Sequence, residues 1–256
     1  MRPGHRAWLA AAVCAAAGYR LLGRPAQLRW GATNDELEAA LVGDDLVASA
    51  DQIATRAITV RAVPDEVWPW VAQLGQSRGG FYSYDFLENL IGCEIHSADR
   101  INPEWQDLAA GDQVALAPGT ALNVAVSEPG RTLVLRGGIP LGASASPPYD
   151  FTWAFSLVGL PGGATRLLVR ERYGYLRSWT SLLVEPVEAV SFLMTRKMLR
   201  GIRARAEQAS LTPQRQRGSS TARGGPSGLR LGLSREQAVA VDDGRGEVDD
   251  LAVVDS

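Results

Sequence analysis

Residues 55–92 read TRAITVRAVPDEVWPWVAQLGQSRGGFYSYDFLENLIG, and their order decides the fold. Ile53–Arg61 is rich in β-branched residues and predicts a strand. Pro64 then starts a helix, with Asp65 and Glu66 placed to complement its dipole. Val67, Trp70, Val71 and Leu74 share one face of it. Pro69 keeps the helix short, and Gly75 is its C-cap. Gly79-Gly80 predicts a tight turn; neither GxGxxG nor GxxxxGK surrounds it, so no phosphate loop is implied. Ser83 is placed to N-cap a second short helix, with Phe86, Leu87, Leu90 and Ile91 turned inward and Gly92 ending it. Trp68, Trp70, Phe81, Tyr82, Tyr84 and Trp105 serve either as core or as pocket wall.

Downstream, strands are predicted over 112–117, 121–127, 131–137, 150–158 and 165–175. The last two flank Pro161-Gly162-Gly163, a hairpin signal. Glu185–Gln208 reads as a long helix opened by Pro186. Val187, Val190, Met194, Met198 and Ile202 form its apolar stripe. The expectation is an α+β fold: a curved antiparallel sheet of roughly six or seven strands around a long C-terminal helix.

This order, and a series of local phrases, resembles the SRPBCC or START-like superfamily, the helix-grip fold, and within it the polyketide cyclase/dehydrase-like group. The phrases are LRWGAT (28–33), VWPWVAQLG (67–75), RGGFYSYDFLENLIG (78–92), HSADRINPEWQ (96–106), PYDFTWAFSL (148–157), LLVRERYGY (167–175) and EPVEAVSFLMTRKMLRGI (185–202). The resemblance spans about 28–207. It implies a deep cavity between sheet and helix that holds lipids, polyketides or hormones. Members include transporters, sensors, cyclases and hydroxylase subunits. The iron-sulfur and non-heme iron versions need ligands this chain lacks, so no cofactor or metal is expected. No catalytic residue carries over from the family's enzymes.

Strand alternation aims side chains without the family. Phe151, Trp153, Phe155 and Leu157 fall on one face of their strand. Leu167, Val169, Glu171 and Tyr173 fall on one face of the next, with Arg170 and Arg172 on the other. Trp153, Phe155, Tyr173, Met194 and Met198 are therefore expected to line one enclosed pocket, joined by Tyr84 and Trp105, with Glu171 pointing in. A carboxylate in apolar surroundings needs a partner. Two readings of Glu171 follow: a ligand contact or general acid/base, or a structural ion pair with Arg100 or Arg56. His96 near Asp99 is either an acid/base pair or a loop histidine. The basic set Arg196, Lys197, Arg200, Arg203 and Arg205 is either a solvated helix face or a surface for anionic lipid headgroups.

The 256 residues are 46% hydrophobic and 21% charged, enough apolar content for a globular core. A net charge of −2 argues against nucleic acid as partner. Cys14 and Cys93 stand in unlike regions and predict no disulfide, and two histidines leave little for a zinc site or a Ser-His-Asp triad.

Both ends differ from the middle. Residues 7–19 (AWLAAAVCAAAGY) are apolar and flanked by Arg2, Arg6, Arg20 and Arg24. The run is short of the roughly 20 residues of a membrane span. Two readings stay open for 7–23: a marginal membrane anchor or an amphipathic terminal helix. The tail is rich in Gly, Ser, Pro and Arg and then acidic, a composition that predicts disorder. The expected organisation is an apolar segment over 1–24, a linker over 25–50, one domain over 51–208 and a disordered tail over 209–256.

Three functions are compatible with this reading: a carrier or sensor of a hydrophobic small molecule, a polyketide cyclase or dehydratase using Glu171 or His96, and a membrane-tethered interaction domain without ligand. Scarce catalytic groups favour the first.

Overall fold

The computed structural model describes residues 14, 17–90, 92, 94–138 and 146–221. Six strands form one sheet: β1 (Gln52–Val60), β2 (Gln113–Ala117), β3 (Thr120–Glu128), β4 (Thr132–Gly137), β5 (Tyr149–Leu160) and β6 (Ala164–Tyr175). Their order is β1-β6-β5-β4-β3-β2, and every neighbouring pair is antiparallel. Each predicted strand is present to within a few residues at its ends. Among the described residues five α-helices accompany the sheet, α1 (Arg24–Leu28), α2 (Asn34–Glu38), α3 (Pro64–Ala72), α4 (Asp85–Leu90) and α5 (Thr180–Thr221), with a π-helical turn over Tyr19–Gly23 and 3-10 turns over Asp44–Val47 and Pro103–Trp105. The sheet curves around α5, with α3 closing one end. This is the helix-grip fold that the sequence resembles.

The core lies where the inward faces of β5 and β6 meet α3 and the middle of α5. Phe155, Leu167, Leu199 and Ile202 are sealed there, and Trp68, Trp70 and Val71 of α3 cover the end. Pro64 opens α3 as expected, and Glu66 folds back to accept from the Val63 N–H. Gly75 and Gly80 bond each other in both directions across the loop that follows, both at positive φ. Gly201 matters for a different reason: a Cβ there would sit 2.6 Å from the Tyr82 carbonyl oxygen. Only glycine lets α5 cross the 81–83 backbone so closely.

Several sequence expectations differ from the structure, among them the C-cap of α3, which is Gln73 rather than Gly75. First, α5 begins at Thr180 and runs to Thr221, longer at both ends than 185–208. Pro186 therefore lies inside the helix, where it has no N–H to offer the Leu182 carbonyl. The rest of the tail lies outside the described residues.

Second, Phe86 and Leu90 face outward, 69% and 81% exposed. The polar side chains of α4 decide its orientation. Asp85 accepts from the Ser97 N–H and hydroxyl, and Asn89 bonds both backbone groups of Ile95. That pins the Asp85/Asn89 side of the helix to the 95–97 segment and turns Phe86 and Leu90 away. The Ser83 hydroxyl donates to the Met194 carbonyl.

Third, residues 25–50 are not a free linker. Gln27 joins the buried side chains Arg56 and Glu188, and the stretch from Gly31 on, including α2 and a 3-10 turn over Asp44–Val47, folds into a strap against the outer face of the sheet. A capping box between Thr33 and Glu36 starts α2.

The arginines of β6 face outward as expected, and the strap covers them. Arg170 is only 2% exposed. It donates to the carbonyls of Glu36, Leu37 and Ala39, to Asp44 and to the Thr55 hydroxyl. Arg172 donates to the carbonyls of Val47 and Ala48, and Arg166 to Glu36 and the Gly31 carbonyl. Arg166 holds the Glu36 carboxyl below its ordinary range.

Among the described residues no helix is long and apolar enough to cross a membrane. Most of the 7–23 run falls outside the described residues.

Candidate functional site

A cavity of about 460 Å³ lies between the sheet and the first half of α5. Strand pairing builds one wall. Phe151 faces Tyr173 and Trp153 faces Glu171 across β5 and β6, all with inward side chains. Tyr149, Phe151 and Tyr173 pack ring against ring, the last two with centroids 4.7 Å apart. The opposite wall is helical: Leu183, Val187, Val190, Met194 and Met198. Phe81, Ile95, Leu116 and Ala117 complete the lining. Val187 and Val190 are both 53% exposed, so they form an open lip.

A hydrogen-bonded group of polar side chains surrounds Glu171, and Ser83, Thr120 and Trp153 add further polar atoms to the lining. The Glu171 carboxylate accepts from Arg56 Nη1 at 2.9 Å, Tyr173 Oη at 3.2 Å, Thr195 Oγ1 at 3.1 Å and Ser191 Oγ at 3.1 Å. Arg56 also donates to Glu188 and, through Nε, to the Gln27 carbonyl at 3.2 Å. The Gln27 side-chain amide donates to the other Glu188 oxygen. Two carboxylates thus flank one guanidinium, and all three side chains are at most 2% exposed. Burial pushes the Glu188 carboxyl up, against the pull of Arg56. Burial, with Glu171 beside it, pushes the Tyr173 phenol well above its ordinary range, so the phenol keeps its proton.

Of the eight residues expected at the site, Trp153, Glu171, Tyr173, Met194 and Met198 line the cavity together. Three do not. Phe155 lies one pleat deeper, fully buried against Trp153 with ring centroids 4.9 Å apart. Tyr84 sits outside the cavity, edge-on to Phe86 and under the Lys197 ammonium. Trp105 ends a 3-10 turn, where its carbonyl accepts from Arg78. The pocket is also open at its lip rather than enclosed. Of the other aromatics weighed, Phe81 lines the cavity, while Trp68, Trp70 and Tyr82 are core. The Tyr82 phenol is pushed up to about 12 by burial, and its oxygen accepts from Gln73 Nε2.

Arg56, not Arg100, is the partner of Glu171. Strand phase carried the signal, because Arg56 shares the inward phase of β1 with Ala54, Ile58 and Val60. Glu188, Ser191 and Thr195 were missed as network members because the apolar stripe drew attention one position away. The deepest face of α5 is polar over these turns, since it covers the ion pair. Gln27, in the supposed linker, had no local signal.

His96 is an exposed loop residue, and Asp99 pairs with Arg205 at 3.1 Å instead. The basic residues of α5 are engaged rather than free. Arg196 and Arg200 lie over the Trp30 ring, Arg205 over Tyr82, and Arg203 pairs with Glu207. Among the described residues no group of His, Cys, Asp and Glu is placed to hold a metal ion.

No protein-family model matches the chain, and no curated protein matches its sequence. Solved structures of similar shape are found. A structural-genomics protein from Mesorhizobium loti is 16% identical, with a TM-score of 0.36 over 59% of this chain and 96% of its own. Norcoclaurine synthase from Thalictrum flavum, solved as a point mutant with a transition-state analogue, is 12% identical, with a TM-score of 0.40 over 62% of this chain and 96% of its own. A di-domain ARO/CYC from the steffimycin biosynthetic pathway is 15% identical, with a TM-score of 0.36. It is matched over 62% of this chain and 51% of its own length, so this chain spans about half of it. Similarities of this order say nothing of chemistry.

Proposed function

We propose that the protein binds a hydrophobic small molecule, lipid or polyketide-like, between the sheet and α5, as a carrier or sensor. The observation that carries this reading is an apolar cavity of about 460 Å³, open at one lip, between the sheet and α5. Pockets for small ligands have this size and this mixture of apolar wall and few polar groups. Apolar space left unfilled costs stability, so a domain that keeps it open has a use for it. The buried Trp153 indole N–H, without a hydrogen-bond partner among the described residues, is a second sign of a site completed by something else.

The expected result is saturable, one-to-one binding of a neutral apolar dye such as Nile red. Met194→Trp, which fills the cavity from the helix side, should weaken it by about tenfold or more while the protein stays folded. Binding that does not saturate, or that Met194→Trp leaves unchanged, would sink the proposal. A cyclase or dehydratase using Glu171 is the second reading, favoured by the position of that carboxylate in the cavity wall. Four donors already converge on Glu171, which suits an anchor better than a base that must take up a proton.

Membrane association also belongs to this reading. The exposed apolar side chains Leu21 and Leu22 come from the helical turn Tyr19–Gly23, Leu176 and Trp179 from the segment between β6 and α5, and Leu182 from the start of α5. Arg20 pairs with Glu185 at 2.9 Å and joins the Tyr19–Gly23 turn to α5. Val187 of the cavity lip follows Glu185 by two positions in α5. An apolar surface flanked by arginines fits the interface of an anionic bilayer. The full chain should therefore sediment with anionic liposomes, and a chain beginning at Gln27 should bind at least about fivefold more weakly. Equal sedimentation of the two would remove residues 7–23 from any anchoring role.

A further inference from the structure

The polar corner around Glu171 gives the cavity a charge preference, with the Trp153 indole N–H, Ser83 and Thr120 among its other, uncharged polar groups. Among the described residues that line it, Glu171 is the only acid, and no Lys, Arg or His is present. The nearest cation, Arg56, is already spent. Its Nε serves the Gln27 carbonyl, Nη1 serves Glu171 and Nη2 serves Glu188, and its side chain is 1% exposed. An anionic head entering here would leave water for an apolar space and meet a carboxylate, with no free cation to compensate it. That combination is strongly unfavourable.

A hydroxyl fares differently. Ser191, Thr195 and Tyr173 each direct a proton at Glu171. Each oxygen keeps lone-pair capacity, so the corner can accept a hydrogen bond from a ligand O–H without giving up its own. The walls say what the rest of the ligand looks like. The sheet side is a run of aromatic faces, Tyr149, Phe151, Trp153 and Tyr173, and the helix side carries Met194 and Met198, which adapt to varied shapes. Flat rings stack well against the first and are followed closely by the second.

We infer that the cavity takes a fused-ring ligand whose buried polar end is a hydroxyl, and that it turns away the same skeleton ending in a carboxylate. This rests on the cavity being a ligand site, and the test separates the two ideas. Pyrenebutanol and pyrenebutyrate share a ring system and differ in the head group. Their binding to the full chain is measured at neutral pH by pyrene fluorescence and by calorimetry.

The alcohol should bind about tenfold or more tightly than the carboxylate, and Glu171→Gln should narrow that ratio to about threefold or less. Should Glu171→Gln fail to fold, Ser191→Ala serves: it should weaken the alcohol and leave unsubstituted pyrene unaffected. Carboxylate binding as tight as alcohol binding, or a ratio that neither variant moves, overturns the inference and leaves the ligand site standing. If none of the pyrene compounds binds saturably, the ligand-site reading itself falls, and this inference with it.

Discussion

Arg56→Met should destabilise the domain by about 3–5 kcal/mol, the largest effect expected of any single substitution here. The methionine fills comparable volume, so the loss is electrostatic. Glu171 and Glu188 would be left buried together, each at most 2% exposed, with their shared cation gone. The Nε bond to the Gln27 carbonyl goes as well, loosening α1.

Chemical denaturation of the variant and parent measures the loss. A triple variant that adds Glu171→Gln and Glu188→Gln should recover most of it, because neutral amides no longer need a cation. The pH dependence follows from Glu188, whose carboxyl is raised in the folded state by burial. A raised group favours the fold most below its unfolded-state pKa, and that contribution is lost as pH rises through the folded value. Removing Arg56 takes away the main influence holding Glu188 down. The gap between variant and parent should therefore narrow as pH falls from neutral toward the carboxylate range. A loss under about 1 kcal/mol, or a gap that widens in acid, would show that the network is not buried as described.

Arg170→Ala should cost about 2–4 kcal/mol, nearly as much, at a site on the opposite face of the sheet. Its guanidinium bonds three strap carbonyls, Asp44 and Thr55 at once, at 2% exposure. Alanine would strand those acceptors under the strap. The expected signature is local as well as global: amides over 33–49 should exchange with solvent far faster, while those of β3 and β4 change little. Ligand binding should persist, since the cavity lies on the other side of the sheet. Unchanged exchange over 33–49 would mean that the strap is held by something else.

The two networks also show what could be read from the sequence. Period-2 alternation located the six strands and put Trp153, Glu171 and Tyr173 on one face, because a strand that packs on one side only has one way to sit. The 3.6-residue period located α5. Its phase was misjudged by one position, because the stripe of Val187, Val190 and Met194 borders the cavity while Glu188 and Thr195 take the deepest place. Hydrophobicity marks a buried face poorly where that face covers an ion pair. Phe155 had the correct phase and the wrong depth, and alternation carries no information on depth. Tyr84 and Trp105 were chosen by residue type alone.

The strap was opaque for another reason. Its helices are five residues or fewer, and what holds it is the guanidinium of an arginine more than 120 positions away. No local pattern reports a contact of that separation.

The order of strands in the sheet bears on how the chain comes together in time. β1, first in the chain, pairs only with β6, the last strand. Arg56 emerges early in synthesis, but Glu171 and Glu188 follow it by 115 and 132 positions. Until β6 is made, β1 has no hydrogen-bonding neighbour in the sheet and the guanidinium stays in water. Pairing over such distances is slow, and an unpaired apolar strand invites association with other chains. The cavity therefore has no early form: its wall, its lip and its polar corner come into being together, once nearly the whole domain has left the ribosome.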